Sequence, residues 1–223
     1  MKRSLALACL FALAGTHASA TDVTFTLTEA KGTPVVDAVV SLIPLDAPAK
    51  LNPRAEPFEI AQSNQEFSAF VTPLVVGSTV IFPNADKVSH QVYSLSPTKK
   101  FALPLYKPGN SGTVVFDRPG VVAVGCNIHD WMLAYIVVLE TPLFAKTHDD
   151  GRATVLNVPA GRYRAVVWHA RLANNESREL TVSDISSPPT AGGVASATQT
   201  FTLALRPDRR LRRAVDAGGG GYK

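Results

Sequence analysis

The sequence predicts an all-β protein, and three observations carry that prediction. Short runs rich in valine, threonine and aromatic residues recur along the chain, clusters of Gly, Pro and Asn separate them at close spacing, and no stretch shows convincing amphipathic helical periodicity. In chain order the runs are "VTFTLTE" from Val23, "AVVSLIPL" from Ala38, "TVIFPN" from Thr79, "HQVYSL" from His90 and "TVVFD" from Thr113. "VVAVGC" from Val121, "LAYIVVL" from Leu133, "RYRAVVWH" from Arg162 and "TQTFTLAL" from Thr198 follow. Each is bounded by residues suited to turns: "KGTP" from Lys31, "KPGNSG" from Lys107, "RPG" from Arg118, "DDG" from Asp149 and "PAG" from Pro159. "SDISSPPTAGG" from Ser183 is expected to be a longer loop, and no fixed-period repeat is present.

The first twenty residues, "MKRSLALACLFALAGTHASA", have a basic start at Lys2 and Arg3, an apolar stretch from Leu5 to Ala14 and an Ala-Ser-Ala ending at Ala20. That is the pattern of a cleaved secretory signal, too short to span a bilayer. The remainder, about 200 residues, suits one large β domain or two small ones, and 46% hydrophobic residues can supply the core. Much of the net positive charge sits in the tail "RPDRRLRRAVDAGGGGYK", with six basic and two acidic side chains, so the folded body is near neutral. Such a tail is expected to be solvated and flexible, and nothing in the body marks a nucleic-acid site.

Sulfur is scarce, and its placement is informative. The chain has two cysteines and two methionines, and cleavage after Ala20 removes Cys9 and Met1, together with His17. Cys126 and Met132 remain, both within "GCNIHDWM". A single thiol in an exported chain cannot form an internal disulfide, so it is an inert buried residue, a nucleophile, an intermolecular bridge or a metal ligand. Cys126, His129 and Met132 recur every third residue on what reads as a tight loop between two strands, a spacing that can curl around one ion. His90, where another strand has ended and the chain turns back, is the best fourth donor.

Two imidazoles, a thiolate and a weak thioether form the donor set of a blue-copper electron-transfer site. Thiolate and thioether suit Cu(I), and imidazole suits both oxidation states, so the ligand set changes little when an electron arrives. Zinc would favour further Cys, His or carboxylate in a tetrahedron. A cysteine hydrolase would need a positioned base, an orienting third group and an oxyanion site, none of which is marked, and Met132 would be idle. No phosphate-cradling glycine loop or dinucleotide fingerprint is present, and no catalysis is expected.

These residues carry a resemblance. "CNIHDWM" follows the Cys-x-x-His-x-x-Met ligand loop of amicyanin, in the cupredoxin family of plastocyanin and amicyanin. "VTPLVVGSTVIFPNAD" is similar to the strand leading through a Gly turn and an Asn to the first ligand histidine, and "RPGVVAVGC" to the Pro-Gly turn before the ligand cysteine. The resemblance covers roughly residues 58 to 140 and implies a Greek-key β-sandwich with copper ligands His90, Cys126, His129 and Met132. The chain as a whole resembles periplasmic cupredoxin-containing proteins labelled methylamine utilization proteins. The chain departs from the pattern at Gln91, where family members often have an Asn that ties the ligand loops together. Val122 and Val124 also stand where aromatics are common.

The flanks resemble a different module. "VTFTLTEAKGTPVVDAVVSL" and "KTHDDGRATVLNVPAGRYRAVVWH" are similar to a carboxypeptidase regulatory-like, transthyretin-like β-sandwich, with matches at Gly32, Pro34, Ala38, Gly151, Pro159, Gly161 and Tyr163. The expected organisation is a signal at 1–20, a discontinuous smaller sandwich from 21–57 plus 141–206, an inserted cupredoxin at 58–140 and a basic tail at 207–223. The simpler alternative gives the first two strands to the cupredoxin. His148 and His169 are expected to be surface or packing residues, Asp130 solvated, and Tyr93 and Tyr106 core or edge residues. Trp131 is either a lid over the site or a partner-facing aromatic.

The resulting expectation is a periplasmic one-electron carrier holding one copper ion, with His129 as the exit route. Its partner would be a dehydrogenase or a cytochrome met in a weak, brief encounter. Copper storage, delivery or sensing, and a structural or adhesion module in which metal only staples the fold, are the rivals.

Overall fold

A computed structural model describes residues 20–172, 178–180 and 196–208. The expected signal apart from Ala20, the loop expected from Ser183 and the expected tail beyond Asp208 lie outside the described residues, which contain strands and turns and no helix. The strands are β1 (Ala20–Glu29), β2 (Val39–Pro44), β3 (Phe58–Glu59), β4 (Gln62–Ser63), β5 (Glu66–Phe67), β6 (Val71–Val75) and β7 (Ser78–Pro83). They continue with β8 (Val92–Ser96), β9 (Lys99–Ala102), β10 (Ser111–Phe116), β11 (Gly120–Cys126) and β12 (His129–Leu139). The last are β13 (Phe144–Lys146), β14 (Arg152–Pro159), β15 (Tyr163–Trp168), β16 (Arg178–Leu180) and β17 (Ser196–Leu203).

Period-two alternation builds two separate cores. On β1, Val23, Phe25 and Leu27 point inward while Thr26 and Thr28 stay partly exposed. The sheet ordered β14-β1-β17 meets the sheet ordered β13-β2-β15-β16 over these side chains with Val40, Leu42, Val155, Ala165, Val167 and Leu203. The sheet β10-β7-β3 meets the five-stranded sheet β6-β12-β11-β8-β9 over a second core that includes Leu74, Phe82, Val92, Phe116, Val122, Val124, Ile136 and Val138. Fully burying each such aliphatic or aromatic side chain is worth about 1.5–3 kcal/mol, enough to fix which face of each strand turns inward.

The apolar run at the end of β12 has a reason of its own. Ile136 and Val138 enter the second core, whereas Val137 on the opposite face joins Val39, Val71 and Trp168 in a third cluster between the sandwiches. There the Tyr135 ring lies 5.3 Å from Trp168 and edge-on to Phe70 at 5.4 Å. A strand covered on both faces has no polar side to show, hence "YIVVL".

β1 pairs with β14 and, in parallel, with β17, whereas the strand of Val71 pairs with β12 and "RYRAVVWH" with β2 and β16. Three local expectations differ from the structure. The strand expected from His90 starts at Val92, because the His90 amide and carbonyl are taken by Tyr106. β12 starts at His129 rather than after Met132, leaving only Asn127 and Ile128 as a turn. The two- to four-residue strands β3, β4, β5, β9, β13 and β16 were too short to show a period. β14 alternates from Arg152 to Leu156, loses the alternation at Asn157 where its register with β1 shifts, and lies between two turn signals.

At Gly151 (φ +72°) a Cβ would lie 2.5 Å from the Leu27 carbonyl oxygen, which accepts no side chain in the turn leading to β14.

Candidate metal centre

Strand pairing brings the sulfur to the histidines. Cys126, the last residue of β11, pairs with Val92 on β8, and His90 lies two residues before Val92. Beside the cysteine, a Cβ on Gly125 would meet the Tyr93 ring at 3.2 Å, so glycine lets that ring lie across the strand. After the Asn127–Ile128 turn the β11–β12 register shifts: Gly125 pairs with Leu133, and Cys126 with His129. One step on β11 thus spans four on β12, so Asp130, Trp131 and Met132 stand outside the regular ladder. Residues three apart on a regular strand would face opposite sides. The irregular register instead leaves Met132 buried at 3% exposure and His129 half-buried beside Cys126.

The donors converge. Cys126 Sγ lies 3.5 Å from His90 Nδ1 and 3.6 Å from His129 Nδ1, and the imidazole centroids are 4.8 Å apart. Among the described residues, His90, Cys126 and His129 are the one His/Cys/Asp/Glu group whose ligand atoms lie within 4.8 Å of one another. A first-row divalent ion bound at about 2.0–2.1 Å to nitrogen and 2.3 Å to sulfur requires nitrogen–sulfur separations of roughly 3.6–3.8 Å. The set therefore fits one such ion between the three side chains with little movement. Two imidazole nitrogens and one cysteine sulfur form a donor set that suits copper, and Met132, three residues beyond His129 on β12, is buried.

A polar network that the sequence reading missed holds His90, which is fully buried. Its Nε2 lies 3.2 Å from Asp86 Oδ2. The Gln65 amide, donating to Asp86 Oδ2 at 2.6 Å, and then the Lys87 amide hold the Asp86 carboxyl below its ordinary range. The Asp86 carboxylate against Nε2 orients the ring so that Nδ1 faces Cys126 Sγ. Asn84 braces the same loop: its Nδ2 donates to Val88 O at 2.8 Å and its Oδ1 accepts the Asp86 amide at 3.0 Å. Tyr106 donates to Phe82 O and accepts from Gln62 Nε2, and burial pushes its phenol up to about 12. The available signals were Asn84, in the segment that resembles the approach to the first ligand histidine, and an acidic residue four positions before His90.

Gln91 does tie the two ligand segments. Its side-chain Oε1 accepts Asn127 Nδ2 at 3.0 Å, and its carbonyl accepts the Asn127 amide at 3.0 Å. The amide pair thus joins the segments from both sides although the chain lacks an asparagine at position 91. Val122 and Val124 are fully buried in the second core.

Around His129 the surface is apolar. Ile128 is 48% and Trp131 45% exposed, and the Trp131 ring lies 5.5 Å from that of His129 while its Nε1 donates to Gln65 O at 3.0 Å. Asp130 is exposed. His148 is exposed in a turn, and His169 is buried against Val36 O at 3.1 Å, far along the chain from this group.

No family model matches this chain, and no curated protein matches it. Solved structures do. A novel purple cupredoxin from Nitrosopumilus maritimus is 24% identical over 37% of this chain and 99% of its own, with a TM-score of 0.34. The Cu-containing nitrite reductase NirK from Thermus scotoductus SA-01 is 24% identical over 43% of this chain and 26% of its own, with a TM-score of 0.36. The Cu(I) form of an amicyanin variant is 20% identical over 45% of this chain and 98% of its own, with a TM-score of 0.36. Each of these likenesses covers about two fifths of this chain.

Proposed function

We propose that this chain is an exported type 1 copper protein that carries single electrons, with His90, Cys126 and His129 as its principal ligands and Met132 as a weak fourth. The observation that carries the reading is the convergence of one buried thiol and two imidazole nitrogens, 3.5 and 3.6 Å from the sulfur, at one pole of a β-sandwich. Copper supplies the one-electron couple when bound. The chain's own residues hold the ligands in place: Asp86 orients His90, the Gln91–Asn127 pair joins the ligand segments, and burial keeps water from Cys126. A ligand set fixed before the metal arrives moves little when charge changes, which favours fast transfer over catalysis. The half-buried His129, flanked by Ile128 and Trp131, is the exit toward a partner.

The same proposal assigns residues 58–140 to the copper sandwich and 21–57 plus 141–206 to a discontinuous second one. The separate apolar cores support this division. It takes residues 1–20 as a cleaved signal, 207–223 as a basic tail, the periplasm as the working compartment, and a dehydrogenase or cytochrome, linked to amine oxidation, as the partner.

Adding Cu(II) to the protein lacking residues 1–20 is expected to produce an intense visible sulfur-to-copper charge-transfer band. Cys126→Ser should abolish that band, and Met132→Gln should keep it while shifting the reduction potential. A colourless wild-type protein that ignores cupric salts would overturn the assignment.

A further inference from the structure

Between the two ligand segments stands a small hairpin that neither the strand pattern nor the ligand motif explains. β4 and β5 are joined by Asn64 and Gln65, with φ of +53° and +57°. A two-residue hairpin turn with both residues left-handed suits the strand twist but is unfavourable for side chains with a Cβ, and Gln65 is an unusual occupant. Its base is firmly fixed. Ala61 and Ser68 exchange hydrogen bonds at 2.8 and 2.9 Å, the Ala85 amide donates to Gln62 O at 2.9 Å, and the Gln62 side chain is fully buried.

The tip faces two ways. The Gln65 amide donates to Asp86 Oδ2 at 2.6 Å, and the Gln65 carbonyl accepts Trp131 Nε1 at 3.0 Å. Asp86 holds His90 through Nε2, and Trp131 lies two residues beyond His129 with its ring against that imidazole. The backbone of one residue therefore contacts the supports of both candidate ligand histidines. Left-handed backbone persists where the surroundings over-determine it, and two hydrogen bonds to separate segments do so here.

We propose that Gln65 is a positioning residue, a clasp whose backbone fixes the segment of His90 against the segment of His129 with or without metal. It uses none of the residues of the Gln91–Asn127 tie, so the two ligand segments are joined by separate links. The consequence for copper rests on the reading given under Proposed function; the clasp itself does not.

The test has one arm without metal and one with it. In the metal-free protein, Trp131→Phe keeps an aromatic ring and removes the indole N–H. Amide hydrogen exchange at Gln65 should then quicken roughly tenfold, as expected from one lost hydrogen bond. In the Cu(II)-loaded protein, Trp131→Phe should release copper to a chelator several-fold faster. Combined with Asp86→Ala it should add less than about twofold, because the clasp is already open at its other end. Unchanged Gln65 exchange in the Trp131→Phe protein overturns the clasp, as do release effects that simply multiply. Faster Gln65 exchange in a protein that binds no copper supports the clasp and rejects the copper reading. A blue protein whose Gln65 exchange ignores Trp131→Phe does the reverse.

Discussion

The two sandwiches of this molecule bury their polar groups differently. In the flanking sandwich the buried polar side chains include Thr24, Ser41, Thr141 and Thr147, small hydroxyls that bond neighbouring backbone or one another, as Thr141 does with Leu42 O and Thr24 with Thr154. The central sandwich buries Gln62, Asn84 and His90, larger amides and an imidazole, at the pole that also holds Cys126. Buried polar atoms without a hydrogen-bond partner occur in both: Gln62 Oε1 and Ser78 Oγ in the central sandwich, Thr21 Oγ1 and Trp168 Nε1 in the flanking one. A buried amide group without a full set of partners costs about 1–3 kcal/mol, whereas a satisfied hydroxyl costs little. Both sandwiches carry that cost, but the central one gathers its large buried polar groups at one pole, around a buried thiol.

The largest effects that could break this comparison come from the apolar cores. Phe25→Ala in the flanking core and Phe116→Ala in the central one should each cost about 3–5 kcal/mol in denaturant unfolding, since both rings are fully buried. If the cores are separate units, Phe25→Ala should speed amide exchange in β1 and β14 well before it does so in β11. Equal acceleration in both would show that the Val71, Val137 and Trp168 cluster welds them into one cooperative block.

A smaller effect belongs to the polar pole and has a defined pH window. Burial raises Tyr106 from 10.0 to about 12, so the folded chain keeps the phenol protonated where the unfolded chain would lose the proton. That contribution is fully present below pH 10 and is lost as the pH rises through about 12, on the order of 2 kcal/mol. Tyr106→Phe should therefore flatten the alkaline limb of the metal-free protein's stability curve relative to wild type. An unchanged slope between those pH values would mean that the phenol is solvated.

Smallest of all should be the surface ion pairs, one on each sandwich. Lys99 hydrogen-bonds Asp117 and Arg162 hydrogen-bonds Asp46, and each partnership holds its exposed carboxyl below the ordinary range. Solvent and salt screen such pairs, so Lys99→Met and Arg162→Met should leave the melting temperature unresolved from wild type. A clear drop in either variant would make charge, rather than the buried groups, the distinguishing feature of that sandwich.

The sequence by itself determined the strand-rich architecture, because inward and outward side chains alternate along β1, β7 and β11 whatever they pack against. It also singled out Cys126, His129 and His90, since a lone thiol among spaced imidazoles is a chemical signal that survives without coordinates. Only the tertiary structure decided that β12 begins at His129 and leaves its regular register at Asp130 to Met132, because register depends on pairing with β11. Tertiary structure likewise brought Gln62, Gln65, Asn84, Asp86 and Tyr106 to the candidate metal site. Asn84 and Asp86 lie in the segment that resembles the approach to the first ligand histidine, but no local period or motif marks Gln62, Gln65 or Tyr106, and contacts there join segments up to 66 residues apart, as between Gln65 and Trp131. Alternation and spacing are properties of neighbours along the chain, whereas the bracing of a site is a property of neighbours in space.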